Sequence, residues 1–140
     1  MSDRFFLDTN VFVYSLTAGV PSKQIIATRL IKEAIESGKG AISFQVVQEF
    51  FSVALRRFRP PMSLIEAEQF LAMPLRPLLV VQSSFSLYWQ ALQLANRHSI
   101  SWYDSLIVAA AIGSGCGTLY TEDIQHGQKF GDLIVRNPFS

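Results

Sequence analysis

Short apolar blocks alternate with longer segments of helical periodicity along this chain. The run 4–7 is apolar at Phe5, Phe6 and Leu7 and predicts a buried strand. Asp8, Thr9 and Asn10 are turn and cap types, and residues 11–16 continue as a short helix. Pro21 and Ser22 open a second helix, with Ile25, Ile26, Leu30, Ile31, Ala34 and Ile35 on its apolar side and Gly38 at its end. Residues 41–43 predict another short strand. Residues 44–58 predict a helix with Val46, Val47, Phe50, Phe51, Ala54 and Leu55 on one broad face, closed by Pro60 and Pro61. Ser63 with Glu66 three residues on is a capping box for the next helix, which Pro74 and Pro77 break. A strand over 78–81, a helix from Ser83 or Ser84 to about Arg97, a helix over 102–113, a strand over 118–121 and one more strand in the tail complete the series.

Four-residue apolar strands alternating with helices predict a parallel sheet covered on both faces. The expectation is one α/β/α domain over residues 1–140, with about four to five strands. The sequence contains no repeat, low-complexity stretch or linker. Hydrophobic residues make up 49% and mean hydropathy is +0.25, which suits a globular core. The longest purely apolar run, Leu106 to Ile112, is seven residues. A membrane-spanning helix needs about 20. The opening residues lack the basic-then-apolar pattern of a secretory signal. The single cysteine, Cys116, cannot form an internal disulfide and reads as a small core residue, which fits a reducing, cytoplasmic setting. His98 and His126 have no ligand-spaced partners, which argues against a zinc site. Net charge is only +1 and does not announce a nucleic-acid binder. Neutralising several carboxylates with bound cations would leave a basic remainder fit for phosphates.

The carboxylates change the picture. In an open α/β sheet, ligands bind at the carboxyl ends of the strands. Asp8 follows the first strand. Glu49 lies in the second turn of the helix leaving the second. Asp104 opens a helix that must run back before the strand at 118–121, so its start lies at the same edge. Glu122 and Asp123 follow that strand. Each position also has a plain reading. Asp8 can cap the helix after it, Asp104 can complement a helix dipole, and Asp123 can be a turn residue. Glu49 is harder to dismiss, because it sits between Val46/Val47 and Phe50/Phe51 and needs either solvent or a partner. Four carboxylates on one rim repel. A pair of charges 4 Å apart costs about 4 kcal/mol at an effective dielectric of 20. Protonation or divalent cations must relieve this, and oxygen-only ligands suit Mg²⁺ or Mn²⁺. Such ions serve phosphodiester hydrolysis.

The blocks "FFLDTNVFVYSL", "ISFQVVQEFFSV" and "WYDSLIVAAAIGSGCGTLYTEDIQHG" resemble those of PIN-domain ribonucleases, most closely the VapC-type toxins of toxin–antitoxin pairs. The resemblance spans almost the whole chain. It implies that Asp8, Glu49, Asp104 and Asp123 are the catalytic and metal-binding acids, with Glu122 as the alternative to Asp123. Thr9, Asn10, Ser43 and Thr121 match polar residues often kept beside such a site. It also implies dependence on Mg²⁺ or Mn²⁺, cleavage of RNA, a homodimer and a cognate antitoxin.

Arg56, Arg57 and Arg59 form a basic run past Glu49. It is either a solvated helix end or a contact for RNA or an acidic antitoxin segment. Trp102 and Tyr103, beside Asp104, can stack a base or pack in the core. Two other functions compete. One is a PIN fold that binds or processes RNA without being a toxin. The other is a phosphoacceptor receiver-like domain, which needs paired acids after the first strand and a lysine after the last. This sequence offers one Asp there and only the displaced Lys129.

Overall fold

The apolar runs become strands β1 (Phe5–Leu7), β2 (Gly40–Ser43), β3 (Leu79–Val81), β4 (Thr118–Tyr120), β5 (Lys129–Phe130) and β6 (Leu133–Arg136). The computed structural model describes residues 2–140. All six strands form one sheet in the order β3-β2-β1-β4-β6-β5. Every neighbouring pair is parallel except β5 with β6. Every residue of β1 and β2 is buried, as expected of parallel strands covered on both faces.

The helices are α1 (Thr9–Ser15), α2 (Pro21–Ser37), α3 (Phe44–Ala54), α4 (Leu64–Phe70), α5 (Arg76–Leu78), α6 (Phe85–His98) and α7 (Trp102–Gly113). A π-helical turn, Leu71–Leu75, joins α4 to α5 around Pro74. The capping box at Ser63 and Glu66 is formed, and Ser84 caps α6. From β1 the chain steps outward to β2 and β3, then returns to the other side of β1 for β4. With right-handed crossovers, that reversal places α6 and α7 on the face opposite α1 to α5. It also opens a crevice between the carboxyl ends of β1 and β4.

Two larger differences separate the structure from the sequence reading. The helix expected over 44–58 ends at Ala54, and residues 55–59 form turns before Pro60. The tail holds two strands rather than one. Gly131 turns between β5 and β6 at φ 62°, a left-handed conformation that favours glycine.

Aromatic packing fixes the helix that carries Glu49. Phe50 is fully buried and stacks on Phe70 with ring centroids 4.6 Å apart, and Phe12 meets Phe70 edge-on. α7 is buried continuously from Ser105 to Ala111 and packs against β2 and β4. Its alanines allow this close approach, and its apolar circumference is that of an interior helix.

Helix α2 approaches the start of β2 equally closely. A Cβ on Gly40 would lie 2.3 Å from the Cβ of Ala34 and 2.8 Å from its Cα. We expect Gly40→Ala to destabilise the fold by about 1–3 kcal/mol through overpacking. Urea unfolding checks this. An unchanged midpoint would show that α2 moves aside without cost.

Candidate active site

Asp8 ends β1 and begins α1, and only 7% of it is exposed. Its backbone N–H continues the sheet to the Tyr120 carbonyl. It is the N-cap of α1, and Oδ1 accepts from the Thr9 N–H at 2.7 Å. Oδ2 accepts from the Thr121 hydroxyl, also at 2.7 Å. The cap and ligand readings of Asp8 are therefore compatible, because each oxygen keeps accepting capacity. Burial pushes the Asp8 carboxyl up to about 6. The hydrogen bonds from Thr121 and Thr9 oppose that rise, while the negative charges of Asp123 and Glu49 add to it.

Glu49 is gripped from two sides. The Thr9 hydroxyl donates to Oε1 at 2.8 Å, and the Gln45 amide lies 3.4 Å from Oε2. Gln45 Nε2 also donates to the Tyr103 carbonyl at 3.2 Å, at the first turn of α7. Thr121 Oγ1 accepts from the Asp123 N–H at 3.1 Å while donating to Asp8. One hydrogen-bonded chain thus runs from Asp123 through Thr121, Asp8, Thr9, Glu49 and Gln45 to the residue before Asp104.

The neighbours Glu122 and Asp123 point to different places. Glu122 Oε1 accepts from the Asn10 amide at 3.1 Å and from the Tyr14 hydroxyl, and Oε2 pairs with Lys23 at 3.2 Å. Asp123 lines a depression of about 290 Å³ together with Asp8, Thr9, Asn10, Glu49 and Arg57. Its carboxyl is raised above the ordinary range, first by burial and then by the charges of Asp104, Glu122 and Glu49. Asp104 is therefore within electrostatic reach, although its side chain does not line the depression.

The remaining candidates divide. Ser43 is buried at the end of β2 with its hydroxyl unpartnered. Of the three arginines, only Arg57 reaches the acidic depression. Arg57 and Arg59 both line a second, larger cavity of about 720 Å³. Arg56 is exposed and lines neither. Trp102 and Tyr103 are exposed outside the depression, and the Trp102 ring lies 6.2 Å from that of Tyr88.

The family model for the PIN domain matches residues 5–129. The chain belongs to the PIN-domain family. Its fold resembles that of VapC20 from Mycobacterium tuberculosis, described as a toxin cleaving the sarcin-ricin loop. The two share 22% identity over 85% of this chain and 89% of that one, with a TM-score of 0.62. A toxin–antitoxin complex from Klebsiella pneumoniae aligns over 99% of this chain and 98% of its own, at 19% identity and a TM-score of 0.63. VapBC2 from Rickettsia felis, bound to a promoter DNA fragment, aligns over 95% and 97% at 22% identity and a TM-score of 0.63. No curated protein matches in sequence.

Within this PIN domain the sheet is six-stranded and mostly parallel, in accord with the expected α/β/α class. The receiver-like alternative falls with the family match. The acidic rim offers oxygen donors alone, which suits Mg²⁺ or Mn²⁺. Among the described residues, no three Asp, Glu, His or Cys side chains are arranged to hold one ion as they stand. Closing around an ion requires the carboxylates to draw together. Gln45 escaped the sequence reading. The available signal was a polar residue one helical turn before Glu49, set between Phe44 and Val46 in an apolar run.

The raised Asp8 carboxyl has a direct consequence for stability. The folded state holds a proton on Asp8 between the ordinary value of 3.8 and about 6, where the unfolded chain has released it. Stability without metal therefore falls as pH rises through that window. Asn cannot ionise. Asp8→Asn in EDTA is expected to gain at most about 3 kcal/mol at neutral pH, the gain fading towards pH 4. Thermal melts across that range measure it, and parallel profiles for the two proteins would contradict it.

Proposed function

We propose that this PIN-domain protein is a Mg²⁺- or Mn²⁺-dependent endoribonuclease that hydrolyses RNA phosphodiester bonds and serves as the toxin of a type II toxin–antitoxin pair. The observation that carries the reading is the buried Asp8 carboxylate at the crevice between β1 and β4. It is hydrogen-bonded through Thr9 and Thr121 towards Glu49 and Asp123. Asp8, Glu49 and Asp104 would hold the principal ion. Asp123 would hold a second ion or orient the attacking water. The bound cation supplies Lewis acidity at the phosphoryl oxygen and a more acidic water.

The chain's own residues do the rest. Thr9 and Thr121 hold the Asp8 and Glu49 side chains by hydrogen bonds, which limits their movement to the approach needed to share an ion. Arg57, on the wall of the depression, can contact a phosphate beside the acids. Glu122 is engaged by Lys23, Tyr14 and Asn10, which favours Asp123 as the fourth site acid.

Two surfaces support the partners. The cavity holding Arg57 and Arg59 adjoins a second one of about 440 Å³, and the two share Leu16, Phe70 and Met73. This long, mostly apolar trough with arginines at one end suits an antitoxin segment. The second surface is on α6. Phe85, Tyr88, Trp89 and Leu92 form an exposed stripe opposite the buried Leu87 and Ala91. No charge occurs between Phe85 and Asn96, so α6 is apolar around much of its circumference. A helix of this kind calls for cover, and a second copy of the chain provides it by symmetry.

Labelled RNA incubated with Mg²⁺ or with EDTA tests the activity. We expect cleavage only with metal. Asp8→Asn and Asp104→Asn should lower the rate by 10³-fold or more while leaving the protein folded. Full activity in Asp8→Asn would remove the assignment, and metal-independent binding without cleavage would favour an RNA-binding PIN protein. Trp89→Glu should halve the mass measured by light scattering. A wild-type monomer would remove the dimer.

A further inference from the structure

We infer that Gln45 is a positioning residue that ties the helix carrying Glu49 to the helix carrying Asp104. This inference rests on the proposed metal-dependent reading of the site. Gln45 is 4% exposed, on the inner side of α3. Its amide nitrogen faces two acceptors, Glu49 Oε2 and the Tyr103 carbonyl. Turning the amide over would set its oxygen against both, so the pair fixes its orientation. Among the described residues, this is the one hydrogen bond from the first turn of α7 to the rest of the site. The Ser101 hydroxyl and the Ser105 side chain bond only within that turn.

The amide oxygen sharpens the argument. Gln45 Oε1 is buried and has no partner. An unpaired buried acceptor costs stability. A side chain kept for stability alone would be better replaced by an apolar residue of the same size. The two N–H contacts supply a different reason for a glutamine: they set the distance between Glu49 and the start of α7. Asp104 follows Tyr103 directly, so this distance governs how the Glu49 and Asp104 carboxylates meet a shared cation.

Gln45→Leu keeps the volume and removes the donors, and two measurements on the whole chain decide the matter. The first is hydrogen exchange in EDTA. The amides of Ser105 and Leu106 should exchange at least about 10-fold faster in the variant, with β1 and β4 unchanged. Unchanged exchange there would overturn the clamp. So would equal acceleration throughout the protein, which marks general destabilisation. The second is Mn²⁺ titration by calorimetry without RNA, where affinity should fall about 10- to 100-fold. Equal Mn²⁺ affinity in the two proteins would overturn the role. If the wild type binds no Mn²⁺, the metal-dependent reading fails, and the exchange result still decides whether Gln45 ties the two helices. Under saturating Mn²⁺, RNA cleavage by Gln45→Leu should recover most of its rate, which a misfolded site would not allow.

Discussion

The structure turns on a carboxylate placed where a carboxylate is costly. Asp8 sits at the carboxyl end of the central strand, next to a second strand that runs the same way, with water almost excluded. Its two oxygens must therefore be satisfied by the protein. The donors come from the residue after it and from Thr121, across the crevice. That requirement couples the first turn of α1 to the end of β4. Neither segment can shift without exposing a buried polar group.

From this fixed point the rest of the rim is built outward. Thr9 turns one way to cap nothing further and instead holds Glu49. Thr121 turns the other way and receives the Asp123 N–H. The Thr121 hydroxyl both donates and accepts, and Thr9 donates twice, through its hydroxyl and its backbone N–H, so a short threonine on each side connects two carboxylate-bearing segments. Aromatic packing beneath α3 and the small residues of α7 supply the rigidity such a chain needs. The electrostatic cost remains visible in the raised Asp8 and Asp123 carboxyls. In a PIN domain that cost is consistent with a site shaped for positive charge rather than for stability.

Much of this was legible in the sequence because parallel strands covered on both faces must be short, apolar and bounded by turns. Phe5 to Leu7 and Ala41 to Ser43 announced themselves in that way. The rim rule placed Asp8, Glu49, Asp104 and Asp123 at one edge, and in the structure Asp8, Glu49 and Asp123 line the depression while Asp104 does not. Other features left no periodic trace. β5 has two residues, too few for any pattern, so the final hairpin read as one strand. Leu55 and Phe58 continue the apolar spacing of α3 past its true end. Glu122 and Asp123 are adjacent, and only side-chain partners on α1 and α2 separate them. Gln45 was hidden because helical periodicity scores a polar residue as outward-facing.

Phe139 is also part of the acidic rim's support. Phe139 packs edge-on against Tyr14 with ring centroids 5.0 Å apart, and the Lys23 ammonium lies 5.7 Å from the centre of the Phe139 ring. Tyr14 and Lys23 are two of the three residues that hold Glu122, next to Asp123. Displacing the Phe139 ring therefore disturbs the neighbours of Glu122, and with them the turn that carries Asp123.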